Sequence, residues 1–313
     1  MLKFFIFILF LLGKEVLFAQ INSAQDARQM FASTSKEDST LVRSALEIWQ
    51  KNQSFDYTPY LFLSDYHIIQ NLILLQDLKN IFEEEHELIF EKRSALVKDY
   101  LQSALALAPQ SLDIKLAQLY AAYLIHSEAD YKNILMEIVQ FNRDTDFAWK
   151  VDNPYAIPID YHTILDELKF ENTSEHKFLY WFYIWGQNNL KVMPFIPFER
   201  TKSLIDFTSE LFLKEYPNSL HVHLLIFHLY KDLEKDDIAL GFLSKALDLN
   251  SEDMMLKIIF AVEAYNTTMP YETAFPFRMR AIDELNMVLE KSDKLEMKNR
   301  AVELKNMIAL EKE

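Results

Sequence analysis

The sequence predicts an all-α protein, an elongated stack of helices with no sheet, and three observations carry that prediction. After residue 23, apolar residues recur at i, i+3 and i+4 along nearly the whole chain, the spacing that lines one face of a helix. No run alternates apolar and polar residues for long enough to form a strand. Only three glycines, Gly13, Gly186 and Gly241, occur in 313 residues, so turns that need positive φ are scarce and short polar links must join the helices. Half of the residues are hydrophobic, enough apolar burial to offset the entropy of ordering the chain. No Gly/Ser-rich or Pro-rich stretch divides it, so residues 20–313 are expected to form a single domain.

Taken in order, the first nineteen residues form a separate element. Lys3 precedes an apolar core from Phe4 to Leu12, and the small Ala19 follows, the pattern of a secretory signal peptide cleaved after residue 19. The core falls short of the roughly 20 apolar residues a bilayer span needs, so no stable membrane span is expected after cleavage. Helical spacing then marks LVRSALEIW (41–49), YHIIQNLILLQDLKNIF (66–82), LVKDYLQSALAL (96–107) and LAQLYAAYLI (116–125). Polar clusters end these runs, APQS at 108–111, YPNS at 216–219 and LNSED at 249–253, with Ser111, Ser219 and Ser251 as the expected caps of the helices that follow. VDNPYAIPID (151–160), MPFIP (193–197) and TTMPYETAFPF (267–277) carry prolines and read as extended punctuation between helices. KFLYWFYIWG (177–186), after a capping box from Asn172 to Glu175, is apolar on every side and is therefore expected to be buried on every side.

Charge narrows the partners. A net charge of −15 with no Lys/Arg-rich block disfavours nucleic acid and anionic membranes, which both need a cationic footprint. The absence of cysteine removes disulfides, thiolate nucleophiles and cysteine zinc sites together. A cysteine-free, phenylalanine-rich exported chain suits a bacterial periplasm or envelope, or secretion.

A repeat is visible within this helical pattern. Pro217 and Ser251 close two similar helix endings 34 residues apart, and Pro109 closes a third. The stretch SLHVHLLIFHLYKDLEKDDIALGFLSKALDLNSED (219–253) resembles a tetratricopeptide repeat. Tyr230 occupies that family's aromatic position on the first helix, and Ala239, Leu243 and Ala246 its small, large and small positions on the second. LVKDYLQSALALAP (96–109) and IDFTSELFLKEYP (205–217) resemble second helices of the same kind. Three residues depart from the pattern: His223 where the family often has tryptophan, Phe227 where it prefers a small residue, and Ser251 where it prefers proline. The resemblance implies a right-handed α-α superhelix, a tetratricopeptide-like solenoid of antiparallel helix pairs, whose concave groove binds another protein. It also places His221, Leu224, His228 and Lys231 of one helix, with Met255, Ile258, Val262 and Tyr265 of the next, on the groove surface as partner-binding residues.

The three histidines of HVHLLIFH (221–228) raise the alternative of a metal site. At about 100° per residue His221 and His228 share a face while His223 points away, so the three cannot bind one ion. The aligned pair lies about 10 Å apart along the axis, too far for one metal that needs each nitrogen at about 2 Å. In FEEEHE (82–87), Glu83 and His86 have the i, i+3 spacing of di-iron bundles, but no second such pair occurs, and a solvated acidic face is the expectation. With two glycines beyond the leader, neither a phosphate loop, a dinucleotide fingerprint nor a G-x-S-x-G elbow can be built. No catalytic residue, metal or cofactor is therefore assigned. The principal expectation is an exported protein that binds a protein or peptide partner through the groove. Two rivals stand beside it: an exported hydrolase or metal-dependent enzyme on a helical frame, and a structural subunit docking through the aromatic 178–185 segment.

Overall fold

A computed structural model describes residues 55–77, 84–124, 127–145, 174–192 and 196–310, with the helical positions Arg43, Leu46, Glu47, Gln50 and Lys51 before them. The expected leader (1–19), the 151–160 connection and the Asn172 end of the capping box lie outside the described residues. Every described element is an α-helix and none is a strand, as the periodicity predicts. They are α1 (Thr58–Asp77), α2 (Glu84–Leu107), α3 (Leu112–Leu124), α4 (Glu128–Thr145), α5 (Ser174–Asn189), α6 (Phe198–Glu215), α7 (Leu220–Asp232), α8 (Asp236–Leu249), α9 (Met254–Asn266), α10 (Tyr271–Lys291) and α11 (Leu295–Leu310). Among the described residues, no helix is long and apolar enough to cross a membrane.

Contacts divide the chain into two compact units, Met1–Ile134 with Ala148–Pro158, and Leu135–Phe147 with Ile159–Glu313. In the first unit α1 packs along α2, and α3 closes on both. Leu61, Phe62 and Leu63 of α1, Val97, Leu101 and Ala104 of α2, and Ile114, Leu116 and Leu119 of α3 are buried there. In the second unit neighbouring helices pair, α7 with α8, α9 with α10 and α10 with α11, while α5 also packs on α7 and α9 on α11 across the intervening helix. Alanines allow the close approach: Ala239, Ala261, Ala264, Ala281 and Ala301 sit fully buried among Leu243, Leu247, Phe260, Leu285 and Leu304. Phe227, the bulky departure from the repeat pattern, is buried in this same core.

The caps explain where helices begin. Ser219 accepts from the Val222 N–H at 3.4 Å and Ser111 from the Ile114 N–H at 3.5 Å, as expected. The cap of α9 is Asp253 rather than Ser251. Its carboxylate accepts from both Met255 N–H at 2.9 Å and Leu256 N–H at 3.0 Å, a pair of hydrogen bonds that caps the helix start. The 267–277 stretch is likewise shorter as a connection than its prolines predict. α10 begins at Tyr271 and runs through Pro276, whose ring removes the N–H that would bond the Glu272 carbonyl and crowds that carbonyl. Between α7 and α8 the turn closes with Lys235 N–H on Tyr230 O at 2.9 Å and Glu234 N–H on Lys231 O at 3.0 Å. Glu234 there takes φ 57°, the left-handed conformation that usually belongs to glycine.

Candidate functional site

The two most distinctive sequence stretches, the aromatic helix and the histidine helix, are packed against each other as α5 and α7. Phe178, Leu179, Tyr180, Phe182 and Trp185 are buried, and Phe182 lies on Phe212 of α6 with ring centroids 4.4 Å apart. These five side chains belong to the core. Leu225 of α7 packs directly onto Gly186 of α5, where an added β-carbon would lie 2.6 Å from Leu225 Cδ1.

His221 and His228 do share a face of α7, and that face looks onto α5. His221 is 2% exposed, with Tyr180 edge-on at 5.2 Å and Tyr183 stacked at 6.3 Å. It therefore does not line an open groove, because an aromatic helix some forty residues earlier covers it. His228 is half-buried, with Nε2 3.2 Å from Tyr183 Oη and 3.4 Å from Gln187 Nε2. The Tyr183 hydroxyl and the Gln187 side-chain amide both lie within hydrogen-bonding reach of this one ring nitrogen, with the donor and acceptor roles set by the ring tautomer. Burial holds the His228 imidazole down at about 4 and pushes the Tyr183 phenol up to about 12, so both are neutral across the physiological range. His223 points the other way, onto Phe242, and donates from Nε2 to the Pro217 carbonyl at 2.9 Å. The three rings share no common centre, and among the described residues no group of three or more histidines, aspartates and glutamates could hold a metal. The side chain of His86 lies outside the described residues, as does Glu83.

The rest of the expected surface is partly open. Leu224 is half-buried against the core, and Lys231 is half-buried with Nζ 3.1 Å from Asp236 Oδ1 and 3.1 Å from Glu263 Oε2. That ammonium joins the end of α7 to α9. Asp236 also accepts from Thr267 Oγ1 at 2.9 Å and from the Thr268 N–H at 2.8 Å. Burial alone would push this carboxyl up, but the Thr268 N–H, the Thr267 hydroxyl and the Lys231 ammonium together hold it at about 2.

On α9 the outward face is turned from the expected one. Met255 is 50% exposed, but Ile258 is buried and Val262 and Tyr265 are half-buried. The open stripe runs through Met255, Ile259 at 41% exposure, Val262 and Asn266. Ile258 faces inward because its neighbour Lys257 is drawn into the core by Glu284 of α10, Nζ to Oε2 at 2.5 Å, which fixes the rotation of the helix. Sequence reasoning thus missed Ile259, Tyr183 and Gln187. For Tyr183 and Gln187 the only available signal was their spacing, one turn apart on the aromatic helix.

The comparison with known proteins adds no relative: neither a protein-family model nor a curated protein matches the sequence.

Proposed function

We propose that the protein is an exported, tetratricopeptide-like α-solenoid. It holds a segment of a partner protein on the surface made by Leu224, His228 and Lys231 of α7 with Met255, Ile259 and Val262 of α9, and uses no cofactor. The observation that carries this is the apolar stripe of α9. Met255 and Ile259 stand open to solvent on the same helix as Glu263, which the Lys231 ammonium reaches from α7, and Lys231 and His228 Nε2 are already engaged within the chain. Such a surface offers apolar contact and little free charge, which suits the hydrophobic face of an incoming helix or extended segment. Packing across the intervening helix, α5 on α7 and α9 on α11, supports a solenoid in which every second helix lines one side. The Ala239, Leu243 and Ala246 positions that carry the resemblance are all buried, as that arrangement requires.

The test is direct. The chain from residue 20, immobilised, is used to capture partners from the envelope fraction, beside Met255→Asp and Ile259→Asp variants of unchanged helix content. A species retained by the wild type and lost from both variants supports the groove. A species captured equally by all three dismisses it. Export is tested separately by the mass of the mature protein, which should begin at Gln20.

A further inference from the structure

His67 of α1 lies in the first unit, outside the surface just described, and nothing in its sequence context singled it out. It is 3% exposed, and neither Nδ1 nor Nε2 has a hydrogen-bond partner among the described residues. Its ring lies parallel to Tyr100 of α2, centroids 5.9 Å apart and planes 12° apart, and Tyr66 meets it edge-on at 5.2 Å. One turn along, Asn71 directs its amide nitrogen to Ser94 Oγ at 3.2 Å and the Phe90 carbonyl at 3.4 Å rather than to His67. A neutral imidazole is tolerated in such a place as an aromatic plate between two helices. An imidazolium, with two N–H groups and no acceptor, is not.

The surrounding charges reinforce this. Arg43 and Glu47, from the helical positions before α1, are paired at 2.8 Å, so that carboxylate is already committed. From α2, Arg93 is held nearby by its bond to the Gln70 carbonyl at 3.0 Å, and Asp99 lies beside Tyr100. α1 itself contributes the phenols of Tyr60 and Tyr66, and α3 brings Tyr120 near Asp65. Two guanidiniums therefore act on His67 against one carboxylate that is spent on the first of them.

We propose that His67 is a proton-operated latch of the first unit: as a neutral plate it holds α1 on α2, and taking up a proton from solvent drives the two helices apart. Burial first, and then Arg43 and Arg93, lower the imidazole to about 4 in the folded chain from an ordinary 6.5. Because the folded value is depressed, the contribution of His67 to stability is complete above pH 6.5 and is lost as pH falls from there through 4. That difference makes opening roughly 50- to 100-fold more favourable at pH 4.5 than at pH 7.

The experiment is amide hydrogen exchange on the full chain from pH 7 to 4.5, corrected for intrinsic rates, with the imidazole C2 proton of His67 followed by NMR. The expected result is a rise in opening of that size for α1 and α2 amides, with the His67 resonance untitrated down to about pH 5. His67→Phe, which keeps a ring on Tyr100 and cannot be protonated, should abolish the rise. If His67→Phe fails to fold at pH 7, His67→Gln makes the same comparison. The latch is overturned if the His67 resonance titrates near 6.5 in the folded chain, or if the variant opens with the same pH dependence as the wild type.

Discussion

Gly186 and Leu225 meet so closely that any side chain on the glycine would displace the leucine, for the nearest approach of an added β-carbon would be 2.6 Å. Leu225 is fully buried, so its methyl has little free volume into which to swing. A larger residue there must pry α5 from α7, and with it the Tyr183–His228 bond. Gly186→Val is expected to destabilise the second unit by about 1–3 kcal/mol, the cost of overpacking a filled core. Denaturant unfolding followed by tryptophan fluorescence checks this.

The other described glycine behaves in the opposite sense. Gly241 sits inside α8, and a β-carbon there meets nothing within 4 Å. Gly241→Ala should raise stability by about 0.5–1 kcal/mol, because alanine restricts the unfolded chain and favours the helix. Seven residues earlier, Glu234 holds the left-handed conformation that glycine adopts without strain. Glu234→Gly is therefore expected to stabilise by about 0.5–1 kcal/mol, relief of backbone strain exceeding the added freedom of the unfolded state. Thermal unfolding of the two single variants and of the pair, which should add, checks both.

Asp236 gives the second unit its own acid response. Its carboxyl is held at about 2 in the folded chain against an ordinary 3.8, so its contribution is complete above 3.8 and is lost as pH falls through 2. Asp236→Asn should lower stability at pH 7 by about 1–3 kcal/mol, since Lys231 keeps only Glu263 and a buried acceptor of the Thr267 and Thr268 bonds is weakened. The difference between wild type and variant should narrow only below about pH 4. Urea unfolding at a series of pH values reads this directly. The window lies below most of the range in which His67 acts, so the two units should respond at different acidities.

Helix content and most helix positions were legible in the sequence because they depend on local spacing, which a single segment displays. Face and depth were harder. MMLKIIFAVEAY is apolar around its whole circumference, so periodicity alone favours neither Ile258 nor Ile259 as the outward residue. The decision rests on a lysine drawn inward by a glutamate 27 residues away. The tetratricopeptide resemblance puts His221 on the groove, and nothing within HVHLLIFH shows that α5, some forty residues earlier, covers that face. The rival caps Ser251 and Asp253 stand two residues apart in one polar cluster, and only the geometry of the chain entering α9 separates them.

The buried pair that sets this rotation makes the sharpest energetic prediction. Lys257 is 1% exposed and Glu284 10%, their charged atoms are 2.5 Å apart, and Arg280 Nε lies 3.6 Å from the other carboxylate oxygen of Glu284. The two partners are therefore not equivalent. Removing the ammonium with Lys257→Met leaves the carboxylate beside Arg280, whose guanidinium can take over part of the pairing, and should cost about 1–3 kcal/mol. Removing the carboxylate with Glu284→Leu leaves a buried ammonium with no carboxylate partner among the described residues and should cost about 3–5 kcal/mol. The double variant restores an uncharged core of similar volume and should be more stable than Glu284→Leu alone. Equilibrium unfolding of the four proteins as a double-mutant cycle measures the coupling. Equal losses for the two single variants would show that Arg280 does not share the carboxylate.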